Sequence, residues 1–310
     1  MIRKLVQKQL VPPEKSFKTE LDKLILSMNL PEYPNRKGNK QFTTAQRLYV
    51  VLLFYDSQKS LREFCDRFKH TKWPSYLGLK YEIKKSTLND WIKSFDSKFI
   101  KELLDKTNSG EGVEILGIDG TGLQTQYKSK YYEKRLKDFG KRTKSNYHKL
   151  DIIANMKGKK KILDYCFHMK QQADIKAGKR LLKRFKEKEK YKLVADKGYY
   201  CFDYFDLAKS KNIVLVVPPK NYGDNCRHNS FARQNIQNAY FENKKDYGLR
   251  SNCEGNYSAL KRTELRIVRA RKFVFKKIEV GFKIVLHNIR KEINFVFIFF
   301  SKFERISFKL

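Results

Sequence analysis

The chain has 310 residues, 41% of them hydrophobic, which is enough for one sizeable core plus a smaller domain and excludes a disordered tail. Lys and Arg number 68 against 33 Asp and Glu, a formal charge of +35. A surface that positive draws polyanions, of which nucleic acid is the commonest and anionic lipid the alternative.

Residues 1–40 read as a basic N-terminal arm with one short helix around Glu20 to Met28, broken by Pro31, Pro34 and Gly38. Met1 to Lys18 alternates charge with single apolar residues and carries no signal-peptide core. The next domain, 41–108, is helical in pattern: Leu48, Val51, Leu52 and Tyr55 recur at helix spacing. A second helix starts with Ser60 as N-cap and Glu63 as its capping-box partner. A third begins at Ser86, with Leu88, Trp91, Ile92 and Phe95 as an apolar stripe. Helix, turn and capped helix in a basic setting suit a helix-turn-helix; an ordinary helical subdomain is the alternative.

Gly110 and Gly112 mark a linker, after which the pattern changes to strands. Strands are predicted at Glu114 to Asp119, Lys149 to Asn155, Ile162 to Met169, Tyr191 to Asp196 and Asn212 to Val217. Helices are predicted at Ala173 to Phe185 and Phe202 to Ser210. Three strands in a meander followed by alternating helix and strand imply an α/β domain over 109–293, a mixed sheet flanked by helices. Tyr127 to Lys149, basic and Tyr-rich, reads as a mobile loop. Phe295 to Phe300, inside a patternless tail at 294–310, is too short to span a bilayer. Five scattered cysteines, with no C-x2-C pair, exclude a complete disulfide framework and fit a reducing cytosol.

Asp119 and Asp196 each end a short apolar run and are each followed closely by glycine, which holds a carboxylate rigidly and leaves room for a ligand. An aspartate at a strand end is also an ordinary turn-former or cap. Tyr247, Arg250, Glu254 and Lys261, at about 100° per residue, fall within roughly a 60° arc of one helix. Leu249, Cys253 and Leu260 form a separate stripe suited to the core. Two strand-end carboxylates and a helical glutamate can hold divalent ions for phosphodiester chemistry. The bland alternative is a solvated face with an Arg250–Glu254 ion pair. Gly248 and Gly255 weaken such a helix by about 1 kcal/mol each, a cost that makes sense where the backbone passes a bulky ligand.

Tyr247-x2-Arg250-x3-Glu254-x6-Lys261 resembles the Y-x2-R-x3-E-x6-K pattern of the insertion-sequence DDE transposases. Ile118-Asp119-Gly120-Thr121-Gly122 and Ala195-Asp196-Lys197-Gly198-Tyr199 look like that family's first and second aspartates. Ser60 to Phe64 through Ser86 to Leu88 is similar to its helical DNA-binding region, and the resemblance covers roughly Phe42 to Lys291. It implies an RNase H-like core in which Asp119, Asp196 and Glu254 hold two Mg²⁺ ions, with Mn²⁺ as a substitute. By the same resemblance, one ion would activate a water or DNA 3′-hydroxyl and the other would stabilise the leaving oxygen, at a spacing of about 3.5–4 Å. It also implies transposon ends and target DNA as partners, a homodimer on DNA, and a cytoplasmic, nucleoid-associated setting in a prokaryote. Arg250 and Lys261 then grip phosphates, and Tyr247 stacks or hydrogen-bonds on the terminal nucleotide. Lys197, Arg262 and Arg266 extend the DNA surface, the last two within a run from Arg262 to Lys277 that carries seven Lys or Arg.

With 57 residues between Asp196 and Glu254, the large insertion of some relatives is absent or reduced to about Asn221 to Asp246. An inactive or domesticated DNA-binding relic and an RNase H-like nuclease without strand transfer are the alternative functions. Cys226-x-His228 lacks the second pair of a metal site, and His148 and His168 read as core or DNA-facing.

Overall fold

The computed structural model describes residues 13–34, 40–110, 112–124, 135, 138–140, 147–169, 172–185, 190–220 and 231–307. Most of the Tyr127–Lys149 segment, Cys226-x-His228, and the first 12 residues of the arm lie outside them. The chain divides into two compact units, Met1–Ser109 with Ile278–Leu310, and Gly110–Lys277.

Among its described residues the regular structure of the first unit is helical: α1 (Pro13–Ser27), α2 (Thr44–Ser57), α3 (Leu61–Phe68), α4 (Trp73–Tyr76), α5 (Lys85–Ser94), α6 (Ser97–Thr107) and most of a long C-terminal helix, Phe273–Ser307. The short helix predicted around Glu20 to Met28 is longer, starting at Pro13. Its core gathers Leu21, Leu48, Val51, Leu52, Leu88, Ile100, Leu103 and Phe282, all fully buried. Tyr55 stacks on Phe282 at 5.3 Å between ring centres. The α5 stripe Leu88, Trp91, Ile92 and Phe95 is buried as its spacing predicts. The helix begins one residue early, however, and Lys84 at its N-cap supplies no side-chain bond. Of the predicted Ser60–Glu63 box only half forms: Ser60 Oγ accepts from the Glu63 N–H at 3.2 Å. The Glu63 carboxylate turns instead to Lys59 (3.0 Å) and Arg67 (3.1 Å).

A complete capping box stands at Thr43. Its Oγ1 accepts from Gln46 N–H at 3.2 Å, and Gln46 Oε1 accepts from Thr43 N–H at 2.9 Å. Thr43→Ala is expected to lower the chain's stability by about 1 kcal/mol in urea unfolding; an unchanged midpoint contradicts the box as a stabilising feature.

The second unit carries a five-stranded sheet: β1 (Ile115–Gln124), β2 (Tyr147–Asn155), β3 (Ile162–His168), β4 (Tyr191–Ala195) and β5 (Ile213–Val216), in the order β3-β2-β1-β4-β5. The meander pairs antiparallel, while β4 and β5 join β1 in parallel. Helices α7 (Asp174–Arg184) and α8 (Phe202–Ser210) supply the crossovers. They cover one face of the sheet, over a core that includes Leu116, Ile118, Ile153, Leu181, Leu193, Ala195, Tyr204 and Leu215. Then come α9 (Phe231–Glu242), α10 (Lys244–Tyr247), a 3₁₀ turn Gly248–Arg250 and α11 (Ser251–Arg262). The long helix Phe273–Ser307, labelled α12, follows and includes the tail from Asn294, which the sequence left patternless. Among the described residues, no helix is long and apolar enough to cross a membrane.

Three expectations need correction. Strand one does not stop at Asp119: Gly120, Thr121 and Gly122 continue β1, because each finds a partner across β2 (Asp151, Leu150 and Lys149). Asp119 therefore sits mid-strand. Asp196 lies just past β4, where its carboxylate accepts from the Lys197 N–H at 2.6 Å and caps the turn Lys197–Tyr199. Finally, the helix carrying Tyr247 to Lys261 is interrupted by the 3₁₀ turn that begins at Gly248, a weak helix former.

Candidate active site

α11 lies along β1 in a repeating register. Gly117, Asp119 and Thr121 alternate onto one face of the strand. Cys253, Tyr257 and Lys261 follow one another at four-residue steps along the helix. Cys253 packs at Gly117, where an added Cβ would stand 2.5 Å from its Sγ. Tyr257 donates its hydroxyl to the Asp119 carbonyl, and Lys261 Nζ donates to Thr121 Oγ1 at 2.6 Å. Four helical residues rise about 6 Å and two strand residues about 6.7 Å, so the two periods nearly match. Burial pushes the Cys253 thiol up to about 12, the chemistry of a packing residue. Asn252 pins the helix start, donating to the Met156 carbonyl at 3.1 Å.

This register turns the Asp119 carboxylate toward the helix that bears Glu254. Ile118 pairs with Ala195, so Asp196, the first residue past β4, comes close enough to Asp119 for their charges to interact. Burial raises the Asp119 pKa, the neighbouring Asp196 and Asp174 add to the rise, and the Gly120 N–H and Arg250 oppose it. Arg250 stands among the acidic groups. Its guanidinium donates to Glu254 Oε1 at 3.0 Å. Burial works against its charge, but Tyr247, Asp196, Asp119 and Glu254 outweigh that and raise its pKa. Burial also raises Tyr247, which Arg250 offsets by its charge and a hydrogen bond, while the Tyr247 ring packs on Tyr240 at 5.3 Å.

The donors are hard carboxylate oxygens, one in β1 and one just past the end of the neighbouring β4, which suits a divalent ion at Asp119 and Asp196. Among the described residues, no group of three or more His, Cys, Asp or Glu is gathered to hold a metal. Arg250 engages Glu254 instead and supplies the positive charge among the three.

The sequence profile of the transposase DDE domain matches residues 112–289. The chain belongs to the DDE transposase family. Among solved structures, a cryo-EM structure of the piggyBac transposase synaptic complex with hairpin DNA matches with 10% identity and a TM-score of 0.42, covering 91% of this chain and 74% of that one. No curated protein matches.

The other predicted residues of the DDE domain are spread along its surface. Lys197 is exposed beside Asp196. Arg262, in the last turn of α11, donates back to the Ser258 carbonyl at 3.2 Å, and Arg266 is exposed in the 3₁₀ turn Glu264–Arg266. Among the described residues, and apart from the helix's own backbone, a Cβ at Gly248 or Gly255 would meet no atom within 4 Å. His148 is a buried structural residue: its Nδ1–H donates to the Met169 carbonyl at 3.0 Å, which leaves Nε2 to accept from Lys276 at 2.9 Å.

Sequence reasoning missed a second cluster, on the opposite face of β1. Gly120 was expected to make room for a ligand, but the protein fills that space. A Cβ there would lie 2.5 Å from Asp151 Oδ1, 2.9 Å from Lys149 Cε and 3.2 Å from Asp174 Oδ1. Lys149 donates to Asp174 and to the Gln172 carbonyl (2.6 Å), and its Nζ stands 3.2 Å from Asp151 Oδ1. Lys149 and Asp174, but not Asp151, border an open cleft of about 490 Å³ lined also by Gly120, Thr121, Gly122, Gln172 and Ala173. Lys149 and Asp151 two residues apart on a predicted strand were the only sequence signal.

Asp151 is fully buried, and burial pushes its pKa up to about 7 against the pull of Lys149. Its folded pKa lies above the unfolded value, so the folded state holds the extra proton. That contribution is fully present below about pH 4 and is lost as the pH rises through 7. Asp151→Asn is therefore expected to flatten the fall in unfolding free energy between pH 5 and 8, by on the order of 2 kcal/mol. Parallel pH profiles for wild type and variant contradict this.

Proposed function

We propose that the chain is a transposase that binds insertion-sequence ends and carries out metal-dependent DNA cleavage and strand transfer. The observation that carries this reading is the α11–β1 register, which sets the helix of Glu254 and Lys261 against the strand of Asp119, with Tyr247 and Arg250 in the turn that leads into that helix. Family membership and the +35 charge support it.

In this reading residues 109–293 are an RNase H-like catalytic domain, a reading supported by the strand order β3-β2-β1-β4-β5. Residues 41–108 are a helix-turn-helix-like DNA-binding domain, preceded by a basic arm over 1–40 and with a tail at 294–310 of unassigned role. Asp119 and Asp196 would hold the divalent ions, Mg²⁺ or Mn²⁺, and Glu254 would complete the set. Bound there, the ions supply activation of the attacking water or 3′-hydroxyl and stabilisation of the leaving oxygen. Arg250 holds Glu254 in its ion pair and keeps the acidic groups neutralised until DNA and ions arrive. Lys261 and Arg250 bind phosphates beside the scissile bond, Tyr247 takes the terminal nucleotide, and Lys197, Arg262 and Arg266 track the flanking backbone. The active form is a homodimer bridging two ends, in the cytoplasm at the nucleoid.

The test is incubation of the full chain and Mg²⁺ with a labelled fragment spanning the inverted repeats that flank its gene. Cleaved ends together with products joined to a second DNA are expected. Cleavage without joining of a pre-cut end favours a nuclease instead, and binding with neither favours a DNA-binding relic.

A further inference from the structure

Tyr257 lies one helical turn past Glu254 and one turn before Lys261, and it is buried. Its hydroxyl stands at the junction of two strands. It donates to the Asp119 carbonyl on β1 and accepts from the Ile152 N–H on β2 at 3.2 Å. The Leu150 carbonyl, at 3.3 Å, is a second acceptor within reach of the same proton. Asp119 and Ile152 are register partners across the β1–β2 ladder, so one phenol is fastened to both strands at the height of the first aspartate.

The three contacts of α11 with β1 differ in what they can hold. Cys253 at Gly117 is a sulfur packed against a residue without a side chain, and it gives no directional stop to sliding along the strand. Lys261 is exposed, on a flexible stem in water, where a hydrogen bond is weakened by competition and salt. Of the three, Tyr257 makes directional bonds in a dry setting, where they are strongest.

We propose that Tyr257 is a positioning residue, whose hydroxyl sets the height of α11 on β1 and so the placement of the Glu254 carboxylate relative to Asp119. This rests on reading those carboxylates as a metal-holding site. It acts through Asp119 and Glu254 and touches neither DNA nor ions.

The test compares wild type with Tyr257→Phe in the full chain. Mn²⁺ binding is followed by electron paramagnetic resonance, and cleavage is measured at saturating DNA. Misplacing one carboxylate is expected to raise the half-saturating Mn²⁺ concentration about tenfold or more and to slow cleavage similarly, with DNA affinity unchanged. A merely structural role lowers the amount of folded protein without moving that midpoint, so an unmoved midpoint overturns the proposal. Should the Phe variant not fold, 4-aminophenylalanine and 4-methylphenylalanine at position 257 replace it, equal in size and differing in the donor. A higher midpoint for the methyl form supports the proposal, and equal midpoints overturn it. If the wild type itself binds no Mn²⁺, the reading of the site has failed as well; if it binds and the variants match it, only the role of Tyr257 has failed.

Discussion

Asp119→Asn, Asp196→Asn and Glu254→Gln are each expected to lower Mg²⁺-dependent cleavage by about 10³-fold or more while leaving DNA affinity within about twofold. The magnitude follows from losing several kcal/mol of charge stabilisation in the transition state, at 1.36 kcal/mol per tenfold. The amides are chosen to leave the scaffold intact. After Asp119→Asn the remaining side-chain oxygen still accepts from the Gly120 N–H, a bond of 2.8 Å in the native chain. After Asp196→Asn the turn Lys197–Tyr199 keeps its cap through the bond from the Lys197 N–H, and after Glu254→Gln the amide oxygen can still accept from Arg250. Stability is therefore expected to change little, and at Asp119 the removal of a carboxylate whose ionised form burial disfavours is favourable in itself. Rates are read from single-turnover cleavage and affinity from gel shift at fixed salt. Cleavage by any of the three at the native rate removes that residue from the reaction.

Gly117→Ala is expected to lower both stability and activity, the latter by more than the unfolded fraction explains. The added Cβ would lie 2.5 Å from Cys253 Sγ and 2.5 Å from Met156 Sδ. Met156 is flexible and can swing aside, but Cys253 is fixed on α11, so the helix must move off β1 and carry Glu254 with it. Overpacking of this kind costs about 1–3 kcal/mol. Adding Cys253→Ala removes one of the two clashing sulfurs, so the double variant is expected to recover at least half of the lost stability and most of the activity. That non-additivity is the signature of residues in contact. Additive losses contradict the register of helix on strand.

Much of the architecture was legible because it is written in local periodicity. The five strands follow runs such as Leu193 to Ala195, and α5 of the N-terminal unit follows the stripe Leu88, Trp91, Ile92 and Phe95. What was lost depends on distant partners. Gly120 and Gly122 argue locally for a turn, and only pairing with β2 keeps them in β1. Tyr257 reads as one more apolar helix position until the strands bring backbone groups to its hydroxyl. Lys149 and Asp174 are far apart in sequence, so their ion pair has no local trace. The Thr43–Gln46 box, by contrast, is a plain S/T-x-x-Q pattern that was open to reading. At the site, the two aspartates and the Tyr-Arg-Glu-Lys spacing were visible. That Arg250 engages Glu254 was foreseeable as an i, i+4 pair, whereas its proximity to Asp119 and Asp196 followed only from the family resemblance and not from local pattern.

The most direct test of the central claim is anomalous scattering from Mn²⁺ in crystals of the full chain bound to a transposon end. A manganese peak is expected within coordination distance of the Asp119 and Asp196 carboxylates, with Glu254 released from Arg250 to reach it. Manganese bound elsewhere, with Asp119 and Asp196 both bare and Glu254 still on Arg250, contradicts it.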